Sequence, residues 1–171
     1  MVVAVIVTII VEQADSLATR RHVDPAHVAM TEDHVTGHAD VPPAIVARLA
    51  SICLGLPEAC EERAWAGTRW SIRKKNFAHV LMIDSGWPPA YAQAAGSNGP
   101  AIVLTFRYPV RKLDAPRFAR SPFFRPVWFP DIVGMVIDDR VDWDDIADLL
   151  TESYCLLAPK KLVALVDRLG D

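Results

Sequence analysis

The chain has little of what usually announces a chemistry. It holds three cysteines, Cys53, Cys60 and Cys155, and no CxxC pair, so neither a disulfide framework nor a zinc site is expected. Cys53 and Cys155 fall within apolar helical patterns and read as buried thiols, which suits a reducing cytoplasm. Phosphate-cradling loops of the GxxxxGK[ST] or GxGxxG type are absent. A GxSxG nucleophile elbow is also absent. No apolar run approaches the roughly 20 residues that span a bilayer. The longest, VVAVIVTIIV at 2–11, also lacks the basic flank and small-residue cleavage site of a secretory signal.

What is present is an ordinary globular composition with an uneven charge. Half of the 171 residues are hydrophobic (51%), 23% are charged and the net charge is −3. That length suits one domain with a proper core. Lys and Arg are in excess over 41–130, whereas Asp and Glu are in excess over 1–40 and 131–171. A basic middle between acidic ends either meets an anionic partner or is neutralised by its own flanks. Residues 1–40 are rich in Asp, Thr and His without sustained periodicity, and read as a poorly ordered extension with a short turn near Pro25–Met30. His34 and His38 have metal-ligand spacing, but no apolar stripe or third ligand supports them, and no metal is expected.

Residues 41–171 read as a single α+β domain. Pro42-Pro43 opens a helix whose face is Ile45, Val46, Leu49, Ile52 and Cys53, ended by Gly55 and Pro57. A hairpin follows: Trp70, Ile72 and Lys74 alternate with Ser71, Arg73 and Lys75, Lys75-Asn76 make the turn, and Phe77–Ile83 return. Residues 85–100 read as a Gly/Pro/Ala-rich loop, Ala101–Arg107 as a strand, 108–131 as a long irregular loop, and Ile132–Ile137 as the last strand. Asp142 caps a helix with Trp143, Ile146, Leu149 and Leu150 on one face. Pro159 starts a second helix, with Leu162, Val163, Leu165, Val166 and Leu169 as its stripe and Gly170 as its end. Strands with no helical pattern between them argue for an antiparallel meander.

Several residues form a pattern along the chain: Leu56-Pro57-Glu58, Glu61-Glu62, Trp65, and Arg73-Lys74-Lys75-Asn76-Phe77-Ala78. Val133-Gly134-Met135 continues it before an acidic turn, and Glu152-Ser153-Tyr154 with Ala158-Pro159-Lys160-Lys161-Leu162 ends it. In order and spacing these resemble the MmcQ/YjbR family over roughly 42–169, with an actinobacterial flavour. The resemblance implies a CyaY-like fold: an N-terminal helix, an antiparallel β-meander sheet and two C-terminal helices packed on one face. It also implies the label of DNA-binding protein that the family commonly carries, and it supplies no catalytic residue. The extension 1–40 and the long loops at 85–100 and 108–130 depart from shorter members. Because the pattern begins only near Val41, Met30 stands as an alternative start.

The functional expectation is therefore non-enzymatic, with no cofactor and no membrane. A basic hairpin carrying Arg69, Arg73, Lys74 and Lys75, joined by Lys160 and Lys161, would contact phosphates of DNA. Trp65, Trp70 and Phe77 interleave with the hairpin cations as stacking candidates. The alternative is a protein-interaction or chaperone-like module that holds a partner segment on its sheet face or on the aromatic loop 118–129. His79 is expected as a satisfied strand histidine rather than the base of a Cys60–His79 pair. The clustered Asp138, Asp139, Asp142, Asp144 and Asp145 are expected as caps and a solvated face.

Overall fold

The computed structural model describes residues 39–166. The apolar run, the polar extension with its turn, His34 and His38, and the last turn through Leu169 and Gly170 lie outside them. In chain order the elements are α1 (Pro43–Leu54), β1 (Cys60–Arg63), β2 (Thr68–Ile72), β3 (Lys75–Ile83), α2 (Pro89–Ala95) and β4 (Ala101–Arg107). They continue with β5 (Phe123–Phe124), β6 (Ile132–Ile137), α3 (Trp143–Leu157) and α4 (Lys160–Val166). The six strands form one sheet in the order β1-β2-β3-β4-β6-β5, every neighbour antiparallel. This is the expected α+β fold.

Period dictates the layers. In β3 Val80 belongs to one apolar cluster and Leu81 to another, because successive side chains leave opposite faces of a strand. On the first face Trp70, Ile72, Val80, Leu104, Phe106 and Met135 meet Leu49 and Cys53 of α1 and Ile146, Leu150 and Tyr154 of α3. Each fully buried Leu or Ile there contributes roughly 1.5–3 kcal/mol. Asp142 caps α3 as expected, its side chain accepting from the Asp144 amide. The second face carries Leu81, Ile83 and Val103 beneath Ala66 and Ala92.

Several boundaries differ from the sequence reading. The hairpin turn is Arg73-Lys74, not Lys75-Asn76, since Ile72 already pairs with Lys75. Both turn residues have positive φ (51° and 65°), the geometry whose twist matches the flanking strands. A register shift between Trp70 and Ser71 makes Trp70, Ser71 and Ile72 all buried, so the alternation read there breaks. β1 is an extra edge strand. Residues 85–100 are not wholly loop but contain α2, stopped by Gly96 at φ 63°. The 108–131 stretch contains two 3-10 turns and β5. Helix α4 begins one residue after Pro159, whose carbonyl accepts from Leu162 and Val163. Leu165 is 42% exposed and leaves the expected stripe. Cys155 is only partly buried, whereas Cys53 is fully buried.

Helix α3 is fastened to the sheet by polar bonds as well as packing. Ser153 Oγ donates to the Phe77 carbonyl and accepts from the Arg107 amide at 2.8 Å, tying the helix to β3 and β4 at once. Tyr154 OH donates to the Pro57 carbonyl at 2.6 Å. Both residues lie inside α3, in its last turns. Removing the Ser153 hydroxyl strands a buried donor and a buried acceptor, which costs about 2 kcal/mol. Ser153→Ala is therefore expected to lower the unfolding free energy by that amount. A variant within about 0.5 kcal/mol of the parent in a urea titration would show that the bonds do not hold the helix.

Candidate nucleic-acid interface

The last turns of α3 lie against the hairpin end of β3. Ser153, in the last turns of α3, bonds Phe77, two residues beyond Lys75. Tyr154 bonds Pro57, and the next residue, Glu58, takes the Arg73 side chain through Nε at 2.9 Å and Nη2 at 2.7 Å. The chain then leaves α3 through Ala158 and Pro159 and presents Lys160 and Lys161. At 15 residues α3 is about 22 Å long. Its acidic start, with Asp142, Asp144 and Asp145, therefore stands well away from the lysines.

The six cations expected at the site divide into two kinds. Arg69 pairs with Glu62 at 2.9 Å, and Arg73 with Glu58 at 2.7 Å. Both pairs are solvent-facing, and such pairs hold by less than about 1 kcal/mol. Lys74, Lys75, Lys160 and Lys161 are exposed and form no ion pair among the described residues. Arg111, Arg120 and Arg125 of the 108–131 loop are also exposed without a carboxylate partner among the described residues. Neutralisation by the flanks is real but partial. Lys112 meets Glu152 and Arg117 meets Asp145 at 2.6 Å, joining the basic middle to α3.

The free cations occupy positions that do not favour stability. Lys74 and its neighbour Arg73 sit at left-handed φ, where Asn and Gly fit best and other side chains cost roughly 1 kcal/mol each. Lys160 and Lys161 open α4, whose first turn holds no acid. A helix start is its positive end, where anions are favoured and cations are not.

The aromatics are not interleaved with these cations. Trp70 and Phe77 are core residues, at 0% and 1% exposure. Trp70 Nε1 donates to Glu61, and the Phe77 ring meets Tyr154 edge-on at 5.5 Å. Trp65 is 54% exposed, but on the turn at the other end of β2. Most of the 118–129 aromatics also serve the fold. Phe118 is buried between Tyr108 and Phe123. The Phe124 ring lies where a Cβ on Gly134 would be, only 2.1 Å from its Cζ. Trp128 packs on Tyr91 at 5.1 Å. Phe129 and Val127 are left at 41% and 95% exposure.

His79 is satisfied, as expected. Its Nε2 lies 2.6 Å from the Ala66 carbonyl and its Nδ1 3.3 Å from Tyr91 OH. Burial pulls its pKa below the ordinary histidine value; the Ala66 bond opposes this and the Arg69 charge adds to it. Cys60 Sγ contacts the Glu58 carbonyl, so no Cys60–His79 pair is formed. Burial pushes the Cys53 thiol far above its usual range, so it stays protonated and inert. Among the described residues no group of three or more His, Cys, Asp or Glu is placed to hold a metal, and no helix is long and apolar enough to cross a membrane.

No protein-family model matches the chain, and neither a curated protein nor a solved structure matches it. The site is therefore read from its own geometry. If strain at the tip is real, Lys74→Gly should raise stability by roughly 1 kcal/mol in equilibrium denaturation, because glycine relieves the left-handed residue. An unchanged or lower midpoint would contradict it.

Proposed function

We propose that the protein is a non-enzymatic domain of MmcQ/YjbR type that binds the phosphate backbone of DNA in the cytoplasm. Lys74, Lys75, Lys160 and Lys161 make the primary contacts. Arg69 and Arg73 add to them by exchanging weak carboxylate partners for phosphate. The observation that carries this reading is the placement of the four lysines. They are exposed, lie at the hairpin turn and just past the end of α3, have no ion pair among the described residues, and sit where a cation does not help the fold. Selection for stability alone would favour Asn-Gly at the hairpin turn and an acid at the start of α4. Among the described residues the stacking candidates are buried or lie at the other end of β2, so contacts to phosphate dominate over contacts to bases.

A second reading rests on the exposed Val127 and Phe129, with Arg107 over the Phe129 ring at 5.3 Å. These would serve a protein partner instead of DNA.

The four lysine contacts contribute about −3.6 to the log–log salt slope for duplex DNA, and Lys74→Ala plus Lys75→Ala should cut the slope's magnitude by about 1.8. Fluorescence anisotropy with a labelled duplex from low to moderate salt measures both slopes. An absence of binding at low salt, or an unchanged slope in the double variant, overturns the proposal.

A further inference from the structure

The second face of the sheet has a thin cover, and one histidine holds it. Helix α2 has seven residues and buries only Ala92 fully. A helix this short has little stability of its own. Its side chains Tyr91 and Ala95, with Trp87 just before it, lie over Leu81, Ile83 and Val103. The β1–β2 turn completes the cover. Gly67 approaches β3 so closely that a Cβ would lie 1.9 Å from the Val80 carbonyl, which brings Ala66 over the same face.

His79 joins these pieces from the middle of β3. A carbonyl only accepts, so the 2.6 Å contact to Ala66 places the ring proton on Nε2. Nδ1 is then an acceptor, and Tyr91 OH donates to it across 3.3 Å. One neutral imidazole thus links β3, the β1–β2 turn and α2. The Tyr91 ring stands edge-on to it, with centroids 6.0 Å apart, and packs in turn on Trp128.

The charges around His79 do not welcome a second proton. β2 brings Arg69, its cross-strand partner, whose guanidinium is held by Glu62 of β1. β4 brings Thr105, which donates to the His79 carbonyl at 3.4 Å. Helix α2, PAYAQAA, brings Tyr91 and no other acid or base. Tyr91 is itself pushed up to about 12 by burial, so it stays a neutral hydroxyl. Among the described residues no carboxylate with a free charge faces the ring. An added proton forces the Tyr91 hydroxyl to turn from donor to acceptor and puts a second cation beside Arg69.

We propose that His79 is the latch of a proton-operated cover: its protonation releases α2 and uncovers the apolar face of Leu81, Ile83 and Val103. The latch is closed when the imidazole is neutral. Its folded pKa lies below the unfolded value of 6.5, so the closed form is fully favoured above that pH and loses stability as pH falls beneath it. The first face is not involved, because α1 and α3 pack on it without histidine.

Titration of the full chain from pH 8 to 4.5 tests this, following tryptophan emission, hydrophobic-dye uptake and far-UV circular dichroism together. The expected result is a reversible red shift and dye uptake below about pH 6.5, with most secondary structure retained. In His79→Gln that step should vanish. In Tyr91→Phe, which removes the tie between His79 and α2, the cover should open at a higher pH. A step that survives in His79→Gln overturns the latch, as does the absence of any step before global acid unfolding. If His79→Gln does not fold, an unmoved midpoint in Tyr91→Phe overturns it alone.

Discussion

The pair of hydrogen bonds at Ser153 constrains most of the arrangement. One hydroxyl, fully buried, serves a carbonyl of β3 and an amide of β4, so α3 can sit on the sheet in only one register. Sliding the helix by a residue would bury both backbone groups unpaired and would move Tyr154 away from Pro57. That register sets where α3 ends and therefore where Lys160 and Lys161 emerge. It also brings the α1–β1 connection, through Tyr154 and then Glu58, against the hairpin tip. The position of the lysines thus follows from a structural contact that carries no charge of its own.

Charge is arranged along α3 rather than balanced locally. Acids gather at its start, where they cap and suit the dipole. Lys160 and Lys161 stand just past its end. Pairs such as Arg117 with Asp145 use up part of the basic middle. The strained turn residues Arg73 and Lys74 and the cations opening α4 forgo stability, a pattern common where a surface has a task besides folding.

The elements with strong periodicity were legible in the chain. Ile146, Leu149 and Leu150 repeat at helical spacing, and AIVLTFR and IVGMVI are apolar runs of strand length. Helix α2 was hidden because an alanine-rich PAYAQAA shows no stripe, and its one buried side chain is small. β1 was hidden because all four of its residues are exposed, so nothing alternates. The hairpin turn was displaced toward Asn76, a residue that favours turns, whereas register placed Arg and Lys in it. The cations of the site could be read as charges. Their fates could not, since Glu58 and Glu62 reach Arg73 and Arg69 only through tertiary contacts. The aromatics misled for a similar reason: an exposed stack and a core residue share the same letters, and only packing separates Trp70 from Trp65.

The central claim is that the cations of the site serve binding at some cost to the fold. The most direct test measures both quantities on one variant, Lys160→Glu plus Lys161→Glu, which reverses the charge at the helix start without touching the core. The account predicts duplex binding weakened at least tenfold at low salt, together with an unfolding midpoint equal to or above that of the parent. A variant that loses stability while keeping its affinity for DNA would contradict it.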